Sequence, residues 1–213
     1  MVYTPPNRVT FRQMVSRDLR DANNSVFGPA EVDDLVNFGI VEVSRLYPVE
    51  AIEVVDVTTD VASGKVNYIY PTSCSEVWRV EVWRDGVLRE QVPLGDENSA
   101  SGWDAYAGRV SLPPFVTLDP DALDSVRVYG YQQRETLHAD DDVAEVDPEA
   151  EMGVRLYATL RGYQKLQNDR AQFQQWLAIP GNNDISATQL DGMTNTYEAQ
   201  WNRHRNHIRT LRR

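Results

Sequence analysis

The side chains with most capacity for chemistry here are Cys74, the run His138-Ala139-Asp140-Asp141-Asp142, the pair His204 and His207, and an excess of arginine. A reactive thiol needs a neighbour that stabilises its thiolate, most often a histidine. The histidine nearest to Cys74 in sequence is His138, so no catalytic role is expected of the thiol. As the one cysteine in the chain it also excludes an internal disulfide and a thiolate zinc cluster. The His138–Asp142 spacing matches no standard metal motif and reads as an acidic connector ahead of a helix. His204 and His207 stand one helical turn apart among arginines, where a bound cation is disfavoured. Neither a glycine-rich phosphate loop nor a G-x-S-x-G elbow occurs. No catalytic residue, cofactor or metal is therefore expected, and recognition is the chemistry that remains.

Recognition has ample material. Lys65 and Lys165 are the only lysines among 21 cationic side chains, so nearly all positive charge is arginine, the cation favoured at interfaces. Codon bias in a GC-rich genome is the plainer explanation. The net charge of −11 argues against nucleic-acid binding by the whole surface. The charge is uneven. Acids crowd residues 119–151, whereas Trp201 to Arg213 holds Arg203, Arg205, Arg209, Arg212 and Arg213 and no acid. Of the five tryptophans, Trp78 and Trp176 lie in phase with apolar neighbours and are expected in cores. Trp103 sits with Tyr106 in a polar loop, either as an interface residue or as loop packing. An accessory β-domain that binds carbohydrate or protein on Trp103 and Tyr106 is the alternative reading this loop supports.

These residues need elements to hold them. The stretch from Asp147 to Trp176 carries the strongest signal. Asp147 can cap a helix, Pro148 suits the first turn, and Glu149 and Glu151 favour its dipole. Met152, Leu156, Tyr157, Leu160, Tyr163, Leu166, Phe173, Trp176 and Leu177 then form one apolar stripe, a helix of about eight turns. Gly153 and Gly162 weaken it, each by roughly 1 kcal/mol relative to alanine. Two partners lie near the N-terminus. After an extended arm over residues 1–9, Thr10 and Gln13 have capping-box spacing, and Phe11, Met14, Val15 and Leu19 share a face of a helix ending near Ala22. Pro29 opens a second helix with Val32, Leu35, Val36, Ile40 and Val43 on one side, stopped by Pro48. A helix pair at 10–47 could suggest a DNA reader, but Glu31, Asp33, Asp34 and Glu42 against Arg45 make a poor phosphate-facing surface.

Between them the period changes to two. Strands are expected at 52–61, 65–70, 77–83, 87–94, 109–112 and 125–132, with a turn at Gly64 and a hairpin at Asp85-Gly86. The expected fold is α+β: two N-terminal helices and one long C-terminal helix form a helical base into which an antiparallel β-domain is inserted. The boundaries are 1–48 for the arm and first helices, 49–136 for the β-domain, 137–178 for connector and long helix, and 179–213 for a basic tail. No run of about 18 apolar residues marks a membrane span, and MVYTPPNRVTF lacks a signal peptide's apolar core. Intracellular assembly is the simplest expectation.

The order of elements carries a resemblance. Thr10-Phe11-Arg12-Gln13-Met14-Val15 leads to Ala30-Glu31-Val32-Asp33-Asp34-Leu35-Val36-Asn37 and then Ser44-Arg45-Leu46-Tyr47-Pro48. Tyr70-Pro71, Trp78-Arg79-Val80-Glu81-Val82, Leu112-Pro113-Pro114 and Val126-Arg127-Val128-Tyr129-Gly130-Tyr131 follow, ahead of the acidic lead into the long helix. Over residues 10–177 this resembles the head-to-tail adaptor (connector) proteins of tailed bacteriophages. The residues after Ile179 depart from the pattern. The resemblance implies a non-enzymatic virion protein, assembled in the host cytoplasm as a homo-oligomeric ring, commonly of twelve copies. Such a ring sits at the head–tail interface beneath the portal protein, extends the DNA channel without binding DNA specifically, and docks tail or head-completion proteins.

Three expectations follow from joining the resemblance to the residues. Met14, Val36, Ile40, Leu156, Leu160 and Tyr163 should be buried where residues 10–48 meet 149–177. Asp140, Asp141, Asp142 and Glu145 either help to make the channel negative, so that DNA slides, or solvate a linker on the outside. The tail should order on a protein partner, most simply the portal, through Tyr197, Trp201 and Ile208 as apolar anchors and Arg203, Arg205, Arg209, Arg212 and Arg213 as carboxylate partners. DNA phosphates compete as partners for these arginines.

Overall fold

The structure is a computed structural model that describes residues 3–56, 69–95, 102–113, 116–119, 124–144 and 146–211. The turn expected at Gly64, most of the strand expected at 65–70, and Glu145, Arg212 and Arg213 lie outside these residues. The chain divides into two compact units, Met1–Pro48 with Arg134–Arg213, and Val49–Gln133. Helices lie in the first and antiparallel sheets in the second, so the α+β class holds.

In the helical unit, α1 spans Arg8–Asp18 and α2 spans Pro29–Leu46. The cap of α1 is Asn7, whose Oδ1 accepts from Thr10 N at 2.9 Å. The helix thus starts inside the stretch expected to be an extended arm and ends earlier than Ala22. Its last carbonyls are completed from far away: Tyr163 Oη donates to Asp18 O and Trp176 Nε1 to Leu19 O, both at 2.8 Å. The turn after α1 is built on Asp21, a buried carboxylate that accepts from the backbone N–H of Ser25, Val26 and Phe27.

The eight-turn helix is two helices. α3 spans Pro148–Asn168, capped by Asp147, and α4 spans Arg170–Leu177. Asp169 separates them in extended conformation and caps α4 through Gln172 N at 3.0 Å. Its buried face is also rotated from the expected stripe. Ala150, Gly153, Val154, Ala158, Leu160, Gly162, Tyr163 and Leu166 face inward, Leu156 and Tyr157 are half-buried, and Met152 is exposed. Small residues win the inner face because neighbouring helices come close. A Cβ on Gly162 would stand 2.5 Å from Leu19 Cδ2, so the glycines that weaken the helix in isolation are what let α1 approach it. Val36, Ile40, Leu160 and Tyr163 are buried as expected, whereas Met14 is half-buried.

α5 spans Ala187–Leu211 and packs along α3. Ser186 and Gln189 start it with a reciprocal capping box: Ser186 Oγ accepts from Gln189 N at 3.2 Å and Gln189 Oε1 accepts from Ser186 N at 2.7 Å. Leu190 and Trp201 join the same core as Phe11, Ile40, Leu160 and Trp176, and Ile208 is fully buried. The tail expected to order only on a partner is therefore part of the helical unit. Its anchors find their apolar surface on α3.

The second unit holds a four-stranded sheet and a three-stranded one, each antiparallel. β1 (Val49–Asp56), β7 (Asp124–Gln132), β3 (Cys74–Arg84) and β4 (Val87–Val92) lie in the order β1-β7-β3-β4. β2 (Ile69–Pro71), β6 (Arg109–Ser111) and β5 (Asp104–Tyr106) lie in the order β2-β6-β5. Val80 and Val82 face the core beside Val128 and Val126, their cross-strand partners. Asp85 and Gly86 both take positive φ, as a two-residue hairpin turn requires. Trp78 departs from expectation. Pairing of β3 with β7 shifts between Val77 and Arg79, and this bulge takes Trp78 out of phase with Val80, leaving it 43% exposed.

On the other face of that sheet Glu81 is 4% exposed and accepts from Tyr129 Oη at 2.7 Å and Trp83 Nε1 at 2.8 Å. Burial pushes its carboxyl up, but these two hydrogen bonds and the Arg79 and Arg127 guanidiniums outweigh it and hold the group below its ordinary range. Asp124, paired with Arg84 at 2.8 Å, is held low in the same balance. A depressed folded-state value contributes stability above the unfolded value, about 4 for carboxylates, and loses it as pH falls through the folded one. Protection of β3 and β7 amides, taken relative to the intrinsic exchange rate at each pH, should therefore fall below about pH 4, and Glu81→Gln should blunt that dependence. In the helical unit Leu160→Ala should cost about 2–5 kcal/mol in chemical denaturation. A change under about 1 kcal/mol would contradict the packing of α3.

Candidate functional site

The residues that looked reactive are occupied structurally. Cys74 is 6% exposed; burial pushes its thiol up, a hydrogen bond with Thr72 opposes this, and Glu53 adds to it. A thiol raised in this way is a poor nucleophile. Among the described residues no group of three or more His, Cys, Asp or Glu could hold a metal ion. No helix among them is long and apolar enough to cross a membrane.

The acidic connector folds on itself. Asp142 accepts from the backbone N–H of Ala139 at 2.7 Å and His138 at 2.6 Å, and these hydrogen bonds lower its carboxyl. Asp140 pairs with Arg12 at 2.9 Å, although its side chain is 67% exposed. Arg12 also grips Asp33, with Nε to Oδ1 at 2.8 Å and Nη2 to Oδ2 at 2.7 Å, and Arg8 reaches the same carboxylate at 2.7 Å. Asp33 is 4% exposed, so α1, α2 and the connector meet at one buried carboxylate between two arginines. Asp141 is exposed and, among the described residues, takes no part in this network.

The C-terminal residues divide by face. Trp201 is 4% exposed and lies against Tyr157, with ring centroids 5.1 Å apart, and Tyr197 meets Tyr163 at 5.3 Å. Trp201 and Ile208 are thus part of the chain's own packing, whereas Tyr197 is half-buried and keeps an open side. Arg203 and Arg209 are exposed and Arg205 is half-buried. A ring nitrogen of His204 lies 2.9 Å from Glu149 O, and His207 Nε2 lies 3.9 Å from Glu149 Oε2.

The expected pair of loop aromatics is not a platform. Trp103 is 4% exposed in the core of the β-unit, its N–H bonded to Pro93 O and its carbonyl to Gly95 N, while Tyr106 is 83% exposed. Ala107 and Gly108 have positive φ and turn β5 into β6, a second hairpin that the sequence conceals because Ala-Gly is a weak turn signal. The exposed aromatic surface is instead the outer face of the four-stranded sheet. There Arg79 stacks over Tyr129 at 3.9 Å, Arg127 over Trp83 at 3.6 Å, and Trp78 lies 4.6 Å from Tyr131. Ile52 and Val54 flank them, 60% and 64% exposed. The bulge is what brings Trp78 to the surface here, and a bulge leaves no mark on residue type.

What the geometry offers is noncovalent: a sheet face of aromatic and guanidinium groups and a helix with arginines outward. The Asp33 cluster holds the helices in register. Asp33→Ala should destabilise the helical unit by about 3–5 kcal/mol, because it leaves two arginines facing each other, and denaturant titration of the variant measures it.

A comparison with curated proteins gave no match. The family model described as SU10 adaptor protein matches residues 9–206, nearly the whole chain and α5 as far as Asn206. The capped helix pair, the antiparallel sheets and the helices that follow thus lie within one matched span, and the chain belongs to the SU10 adaptor proteins, a phage head-to-tail adaptor family.

Proposed function

We propose that this adaptor works as one copy of a closed ring, of twelve subunits, seated beneath the portal at the head–tail junction. The ring prolongs the DNA channel and gives the tail or head-completion proteins a surface to dock on. The observation that carries the reading is the family match across residues 9–206.

The placement of α5 supports a specific division of labour. Its apolar side is used on α3, so contact with the portal falls to its outward arginines, Arg203 and Arg209 with Arg205 beside them. Arg212 and Arg213 would extend the same basic end. Guanidinium groups recognise carboxylates bidentately, and an acidic patch on the portal is the matching surface. Asp140 and Asp141, at the surface of the connector, are the acids available to keep a channel wall from holding phosphates.

The test uses full-length protein. Arg203→Glu with Arg209→Glu changes exposed groups only, so circular dichroism and thermal unfolding should match the wild type. When offered to portal assemblies or adaptor-deficient particles, the variant should be incorporated at least tenfold less, on the scale of losing two charged interface pairs. Wild-type incorporation would contradict the assignment of these arginines. Failure of the wild-type protein to join portal assemblies would contradict the ring reading itself.

A further inference from the structure

A glycine inside a helix is destabilising relative to alanine, and it is retained where a neighbour needs the space. Gly39, Gly153 and Gly162 fit that rule. An added Cβ would stand 2.7 Å from Val154 O, 2.9 Å from Val43 Cγ2 and 2.5 Å from Leu19 Cδ2, respectively. Gly192, inside α5, does not fit: a Cβ there meets nothing within 4 Å. It lines an open groove of about 560 Å³ between the end of α1, α3 and α5, together with Tyr163, Ile185, Met193, Thr196 and Tyr197. Asp18, paired with Arg155 at 3.0 Å, lines the same groove. So does Arg20, and Arg17 stands in the last turn of α1. Both are exposed, and neither forms an ion pair among the described residues.

A complementary surface exists elsewhere on the same helical unit. Phe38, on α2, is 58% exposed, a large apolar group standing in water. Asp34 and Glu42 lie one turn before and after it, so the face reads acid, aromatic, acid. Asp34 has no ion-pair partner among the described residues, and Glu42 has only Arg45 on its own helix, at 3.5 Å. We propose that the groove over Gly192 seats α2 of a second copy of this chain, with Phe38 entering the groove and Asp34 and Glu42 meeting Arg20 and Arg17. The bare helix backbone at Gly192 allows the close approach that this needs. The two surfaces are different patches of one chain, so the contact is heterologous and repeats from copy to copy. It rests on the ring reading and names the faces that would build the ring.

Cross-linking between two tagged populations tests it. One carries Asp34→Cys, the other Thr196→Cys, and a short bis-maleimide joins them; wild-type protein treated alike gives the background from buried Cys74. A mixed-tag dimer is expected, since each chain carries one accessible thiol. Phe38→Asp in the first population, or Gly192→Met in the second, should lower its yield on the order of tenfold or more, as loss of an aromatic anchor does. Circular dichroism of each variant separates this from misfolding, and Gly192→Met adds helix propensity where there is open space. A mixed-tag dimer from protein whose assemblies, seen by electron microscopy, are open chains that never close would support the contact and remove the ring. A closed ring that yields no mixed-tag product, or a yield that Gly192→Met leaves undiminished, would overturn the contact while leaving the ring. Neither rings nor mixed-tag products at high concentration or on the portal would overturn both.

Discussion

Two donors from the second half of the chain, Tyr163 Oη and Trp176 Nε1, complete the carbonyls that α1 leaves open at its end. A buried carbonyl without a partner would oppose folding, so this helix end needs α3 and α4 in place before it is satisfied. The glycine at 162 removes the side chain that would hold α1 and α3 apart, and Leu19 occupies the space. Everything else in the helical unit is consistent with this junction. α2 lies on α3 through Gly39 and Val154, Asp33 ties α1 and α2 to the connector, and α5 packs along α3.

Much of the fold was legible because its signals are local. Pro29 and Pro48 bracket α2, Asp147-Pro148 opens α3, and Asp85-Gly86 turns β3 into β4. The failures share a cause, which is that local signals do not report what a neighbour does. A periodic apolar stripe cannot show that Asp169 leaves the helix to cap the next one. Glycines at 153 and 162 count against a helix by propensity, yet they select its inner face. The bulge beside Trp78 and the burial of Trp103 come from strand pairing and loop closure that residue type does not encode.

The C-terminal segment shows the same limit in a functional setting. Its arginines and aromatics were read together as one partner-binding surface, because in sequence they interleave. On a helix they separate: Leu190, Trp201 and Ile208 turn inward, and Arg203 and Arg209 turn outward. The Ser186–Gln189 capping box, a signal the sequence reading missed, marks a helix that starts on its own cap. A segment with a strong start and an apolar stripe needs a partner surface, and α3 provides it within the chain. On the proposed reading, recognition by this adaptor would use charge displayed from a preformed scaffold, an arrangement that avoids the ordering cost of a disordered tail.

That preformed scaffold is the claim on which the functional reading rests, and amide hydrogen exchange on the isolated, unassembled protein tests it most directly. If α5 is docked on α3 before assembly, amides across residues 190–208 will be protected to a degree comparable with those of 153–166, and will lose protection together with them as denaturant rises. Exchange across 190–208 at the rate of an unstructured peptide, with 153–166 still protected, would contradict it.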